Sequence, residues 1–215
     1  MDWLTFLVKK EYYCGSSTYS DCIEVIETFG NRKLLVNGIT QSGRYPRSLF
    51  KSGLTYLLEW HVGPMEQILV LGIGGGDIFH LLRKQYPGAH ICGVDIDAKI
   101  VYLGKKYFGL NDITNTSFIV ADANKFSKRQ SQKKSYDSVI IDLFIGNSVP
   151  EFVSSKGFFR NVKGLLRRRG SIMFNFFVFE HQIDIKQELL ETLQSIFPSV
   201  AMKSNHRNIF FYCRI

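Results

Sequence analysis

The run ILVLGIGGGDIFHLL (residues 68–82), continued by HICGVDID (residues 90–97), carries the strongest structural signal in the chain. Ile68-Leu69-Val70-Leu71 is a short apolar run of the length of a strand buried on both faces. Gly72, Gly74, Gly75 and Gly76 follow at once, and glycine lets a ligand approach the main chain with no Cβ in the way. After Asp77 the positions Ile78, Phe79, Leu81 and Leu82 have helical spacing, so the turn opens a helix whose first N–H groups are free. His90 to Ile96 reads as the next strand, with Asp95 near its end. Strand, glycine turn, helix, strand and closing acid form one half of a nucleotide-binding parallel sheet, in which Asp95 is placed to accept ribose hydroxyls.

The loop reads Gly72-x-Gly74-x-Gly76 and is followed by an acid, where a dinucleotide fingerprint requires a sixth-position glycine. A carboxylate at that position repels a pyrophosphate and attracts a sulfonium or ammonium. The pattern favours S-adenosylmethionine or a derivative over NAD. It also places Asp77 nearest the charged end of that donor.

Three strands in succession end in aspartate. Asp95, Asp122 and Asp142 each close a strand, and in an open parallel sheet the ligand lies beyond the carboxyl ends of the strands. Four acids at one rim of a chain with formal charge +8 call for a cation or hydrogen-bond donors to relieve them. Asp95 is assigned to the ribose, Asp122 to the adenine amine and the Ala123 N–H to a ring nitrogen. The glycine loop is assigned to the methionine part. Asp142 lies where the transferred group would be, able to orient or deprotonate an attacking amine. Asp97 reads as a helix N-cap.

The rest of the chain supports an α/β reading. A hairpin is expected from residues 21–27 and 33–36 around Phe29-Gly30-Asn31-Arg32, within a β module covering residues 1–45. A helix starting at Pro46 follows, with Phe50, Leu54, Leu57, Leu58 and His61 in one stripe. The expected remainder, residues 46–215, is a Rossmann-like sheet with helices on both faces. Its later elements are a basic segment, Lys125 to Lys134, with an exposed second half; a helix stopped by Gly170; a strand, Ser171 to Phe177; and two closing strands joined by Asn205-His206-Arg207-Asn208.

The four cysteines have no C-x-x-C spacing and the five histidines no H-x-x-x-H pair, so neither a disulfide framework nor a metal site is expected. No apolar run reaches the ~18–20 residues of a membrane span. MDWLTFLVKKEYY lacks the basic start of a signal peptide, and a cytoplasmic protein is expected. The charge of +8 suits proximity to nucleic acid, ribosomes or another acidic partner, or a well-solvated basic surface.

From about Glu24 onward the chain resembles the spermidine synthase-like group of class I S-adenosylmethionine-dependent transferases. The resemblance is carried by Leu35-Val36-Asn37-Gly38 with Gln41, Gly74-Gly75-Gly76-Asp77, Val94-Asp95-Ile96-Asp97, Ala121-Asp122-Ala123, and Tyr136-Asp137 leading to Asp142. It implies a small β domain capping a seven-stranded Rossmann sheet, and a possible homodimer. It implies that Gln41, Asp77, Asp95, Ile96, Asp122 and Ala123 hold S-adenosylmethionine or its decarboxylated form, with Asp142 as catalytic base.

Two departures bear on the acceptor. Ile145 stands where the family carries a second loop aspartate, and Phe50-Lys51 stands where it carries a Tyr-His pair. On these grounds methyl transfer to an amine-type nucleophile is the expected reaction, with a small-molecule or acidic macromolecular acceptor. Aminopropyl transfer to a polyamine is the alternative within enzymes, and a non-catalytic binding module of the same fold is the alternative outside them.

Overall fold

The computed structural model describes residues 9–145, 148–177, 183–205 and 208–215. The expected turn residues His206 and Arg207, the first eight residues and part of the loop after Asp142 lie outside them. Two sheets organise the molecule. The first is antiparallel, in the order β1 (Lys10–Gly15), β2 (Ile23–Thr28), β3 (Asn31–Val36), β4 (Ile39–Ser42). The expected hairpin is β2–β3, with Phe29 and Gly30 at its turn. β1 was not expected as a strand of its own; its polar KEYYCG run carries little periodicity, and the strand is held by pairing with β2.

The second sheet has seven strands. They are β5 (Gln67–Leu71), β6 (His90–Asp95), β7 (Thr116–Val120), β8 (Tyr136–Ile141), β9 (Leu166–Phe177), β10 (Ser199–Asn205) and β11 (Asn208–Arg214). Their order is β10-β11-β9-β8-β5-β6-β7, with β11 antiparallel to both its neighbours and the other pairings parallel. The chain leaves β5 for β6 on one side and returns to β8 on the other. That reversal opens a crevice beyond the carboxyl ends of β5 and β8, where open α/β sheets take ligands.

Helices cover both faces: α1 (Arg44–Trp60), α2 (Asp77–Gln85), α3 (Ala98–Tyr107), α4 (Ala123–Gln130), α5 (Lys156–Leu165) and α6 (Ile183–Gln194). The period of two in the strands sorts the core. Leu69, Leu71, Val139, Ile141 and Phe174 face one side, against Phe158, Phe159 and Val162 of α5 and Leu189 and Leu193 of α6. Ile68, Val70, Ile140 and Met173 face the other, against Leu54 and Leu57 of α1 and Phe79 and Leu82 of α2. The small sheet packs Ile23, Val25, Leu34 and Val36 against Ile100 and Leu103 of α3.

Three expectations about element ends need correction. α1 starts at Arg44, so Pro46 sits within its first turn, where the missing N–H costs no helical bond. Leu58 is exposed on that helix, and His61 lies past its end, where Nδ1 meets Ser171 Oγ at 2.9 Å. Gly170 does not stop α5, which ends at Leu165; β9 begins at once and carries an irregularity. Tyr136 pairs with Leu166 and Ser138 with Ser171, so residues 167–170 form a bulge in which Arg169 takes φ 67°. The basic segment begins as α4 and leaves the helix after Gln130, as expected. Among the described residues no helix is long and apolar enough to cross a membrane.

Candidate functional site

The crevice is built from strand ends. Gly72, the residue after β5, takes φ 92° and donates its N–H to Val94 O at 2.8 Å. Asp142, the residue after β8, donates its N–H to Leu71 O at 2.8 Å. The two backbones lie so close that a Cβ on Gly72 would fall 2.0 Å from the carbonyl oxygen of Asp142. Glycine at position 72 is therefore what lets the ends of β5 and β8 close on each other and form the floor.

Asp95 is tied into the floor. Its Oδ2 accepts from Ile73 N at 2.8 Å and its Oδ1 from Asp97 N at 2.9 Å, so each oxygen keeps lone-pair capacity for another donor. Burial pushes its pKa up, and these backbone bonds oppose the shift. Asp97 caps α3 through Lys99 N, as expected, and also accepts from the Ser17 hydroxyl, which anchors the loop before β2. Asp122 caps α4 by accepting from Lys125 N at 2.9 Å and still faces the cavity.

Asp142 has the most perturbed carboxylate of the group. Burial raises its pKa to about 6, the hydrogen bond from Asn175 pulls it back, and the charge on Asp95 pushes it further up. Asn175 donates Nδ2–H to Asp142 Oδ1 at 2.8 Å, and its Oδ1 accepts from Asn208 Nδ2 at 2.9 Å. The two amides form a buried relay from β11 through β9 to the end of β8.

These groups line a cleft of about 840 Å³. Gln41, Gly72, Gly74, Asp95, Ile96, Asp122, Ala123 and Asp142 all face it, and Tyr19, Ser20, Phe144, Pro150 and Phe152 complete its walls. A second cavity of about 640 Å³ adjoins it and shares Gln41, Asp142 and Phe144. Its other walls include Ile39, Tyr45, Leu49, Phe50, Asn175, Phe177 and Asn208. Asp142 thus stands where the two spaces meet.

Two expected site residues do not face the cleft. Asp77 is buried, with Oδ2 accepting from Ser42 Oγ at 2.6 Å and Gly43 N at 2.7 Å, and Oδ1 accepting from Arg47 Nε at 2.8 Å. The carboxylate expected at the donor's charged end instead clasps α2 to the junction of β4 and α1. Gly76, expected to cradle the ligand, takes φ 94° as the residue before α2, and a Cβ there would lie 2.3 Å from Leu110 Cδ2. Its small size serves packing. Lys51 lines neither cavity; it lies exposed on α1.

Sequence reasoning missed Tyr19, Ser20, Tyr45, Asn175 and Asn208. Asn175 carried a usable signal, because it is the lone amide inside the apolar run Ile172–Phe177. A buried amide needs partners. Tyr19 and Ser20 come from a connection without periodicity, and only the packing of the small sheet on α3 brings them to the cleft.

A methyltransferase-domain family matches residues 64–210. Among curated relatives, a polyamine aminopropyltransferase of Vibrio vulnificus is 31% identical over 122 residues, covering 54% of this chain and 41% of that protein. One of Saccharolobus solfataricus is 27% identical over 199 residues, covering 89% of this chain and 65% of its own length. The chain thus spans about two fifths and two thirds of these relatives. A probable spermidine synthase from Corynebacterium glutamicum superposes with TM-score 0.80 at 20% identity, over 96% of this chain and 80% of that one. Human methyltransferase-like protein 13 in complex with SAH does so with TM-score 0.66 at 21% identity, over 79% and 82%. At these identities the structural likeness speaks for the fold, which is the seven-stranded sheet described above. Taken with the domain match, these relationships show that the chain belongs to the spermidine synthase-like class I S-adenosylmethionine-dependent family.

Proposed function

We propose that the chain transfers an aminopropyl group from decarboxylated S-adenosylmethionine to an amine. The observation that carries this is the charge of the cleft. Asp95, Asp97, Asp122 and Asp142 line it, and no lysine, arginine or histidine does among the described residues. A donor with a sulfonium and an ammonium but no carboxylate suits such walls. The α-carboxylate of S-adenosylmethionine would lie in them without a cationic partner, at a cost of several kcal/mol unless main-chain N–H groups satisfy it. The relatives named as polyamine aminopropyltransferases support the same reading.

In this reading Asp95 accepts the ribose hydroxyls, Asp122 the adenine amine, and Gly72 and Gly74 leave room for the donor chain. When bound, the donor supplies an electrophilic carbon beside its sulfonium and leaves as a neutral thioether. Asp142 takes a proton from the acceptor's ammonium nitrogen, which frees the lone pair for attack. A base at about 6 lies nearer to an amine than an ordinary aspartate does, so the proton transfer is less uphill. Asn175 fixes the carboxylate's orientation at the boundary of the two cavities.

Methyl transfer, the reaction expected from the sequence, is the second reading. One observation favours it: Asp77 is occupied by Ser42, Gly43 and Arg47, so it does not oppose a methionine carboxylate from inside the cleft. Calorimetric titration separates the readings. Decarboxylated S-adenosylmethionine should bind at least tenfold more tightly than S-adenosylmethionine, and the reverse order would favour methyl transfer.

A further inference from the structure

The second cavity differs in chemistry from the first. Its walls are mainly Ile39, Tyr45, Leu49, Phe50 and Phe144, together with Phe177; besides Asp142 its polar groups are uncharged, the hydroxyls of Thr40 and Tyr45 and the amides of Gln41, Asn175 and Asn208. Among the described residues Asp142 is its sole carboxylate. Asn175 spends its N–H on Asp142 and its carbonyl oxygen on Asn208, so that amide is committed to holding the base.

A linear polyamine brings two or more ammonium groups. One can meet Asp142; the next would enter a space walled mainly by aromatic rings and aliphatic side chains, where an ammonium sheds part of its hydration with no counter-charge among the described residues. Aromatic faces can offset part of that loss but bring no net negative charge. A hydrocarbon or aryl tail, by contrast, gains from leaving water in the same place.

Resting on the aminopropyl-transfer reading, we infer that the acceptor is a primary amine with a single positive charge and an apolar or aromatic tail. The amine nitrogen meets Asp142 at the boundary of the two cavities, and the tail lies along Tyr45, Leu49 and Phe50. The bond formed is from the amine nitrogen to the propyl carbon attached to the donor's sulfonium. The carbon–sulfur bond breaks with its electron pair left on sulfur, and the proton displaced from nitrogen goes to Asp142.

The test uses the full chain with hexylamine, phenethylamine, putrescine and spermidine. Transfer from decarboxylated S-adenosylmethionine is read by mass spectrometry, and amine affinity is read by calorimetry with 5′-methylthioadenosine present. Hexylamine or phenethylamine should exceed both polyamines at least tenfold in kcat/KM and in affinity. Tyr45 and Ile39 are exposed at the mouth, so Tyr45→Glu and Ile39→Glu should fold and should raise kcat/KM for putrescine about tenfold by adding a second carboxylate. Putrescine or spermidine preferred by the unaltered chain would overturn the inference, as would no binding by any amine. Absence of transfer with every amine would instead sink the aminopropyl reading, and the affinity order would still decide the acceptor class.

Discussion

Asn175 Nδ2 donates to Asp142 Oδ1 at 2.8 Å, joining the carboxyl-end region of β9 to the residue that follows its parallel neighbour β8. The bond holds a desolvated carboxylate in one orientation and favours its ionised form. Asp142→Asn keeps the shape and removes the base. Turnover should fall at least a hundredfold, with donor affinity within about threefold of the parent, measured by product formation and calorimetry. Full activity in this variant would leave Asp142 a structural strand-end residue.

Asn175→Leu tests the relay itself. Loss of the donor removes the group that pulls Asp142 down, so its pKa should climb above the present value of about 6. The acid limb of the kcat profile should then move alkaline, by roughly half to one pH unit for a single hydrogen bond of about 1 kcal/mol. A limb that stays in place would detach Asn175 from the proton transfer.

The same shift predicts how stability varies with pH. The folded carboxylate titrates near 6 and an unfolded one near ~3.9, so the native chain binds the extra proton between those values. This contribution is fully present below about pH 4 and is lost as pH rises through 6. Asp142→Asn should therefore be more stable than the parent at pH 8, on the order of 1–3 kcal/mol, and closer to it at pH 4. Denaturant titrations at the two pH values check the sign.

Local pattern made the parallel core legible. Ile68–Leu71 and Ser138–Ile141 are apolar runs bounded by glycine or acid, and the strand–glycine–helix–acid order sets the topology. Position at a strand end was enough to bring Asp95, Asp122 and Asp142 into one cleft. The glycine loop was legible as a turn, but the pattern could not say which of its residues face the ligand. That Asp77 faces away from the cleft was not legible, because its partners, Ser42 and Arg47, are 35 and 30 residues distant in sequence. A carboxylate beside a glycine turn reads the same whether it faces a ligand or a neighbouring element. The second cavity was illegible for a similar reason: β4, α1, β9 and β11 each contribute residues to it, and of these only Gln41 and Phe50 stood at positions the pattern had singled out.

Asp77→Ala should destabilise the fold more than it weakens donor binding. The substitution leaves the buried Gly43 N–H and Ser42 hydroxyl without their acceptor and unpairs Arg47, a cost of about 2–3 kcal/mol. Donor affinity in the folded fraction should remain within about threefold. A large loss of affinity at unchanged stability would return Asp77 to the cleft.

A single competition assay discriminates most directly between the two donors. The chain is incubated with equal concentrations of S-adenosylmethionine and decarboxylated S-adenosylmethionine and an amine mixture, and the nucleoside products are separated by chromatography. Aminopropyl transfer yields 5′-methylthioadenosine and methyl transfer yields S-adenosylhomocysteine. The acidic cleft, with no basic side chain lining it among the described residues, predicts that 5′-methylthioadenosine accumulates in at least tenfold excess and depends on Asp142. S-adenosylhomocysteine as the main product would contradict the account.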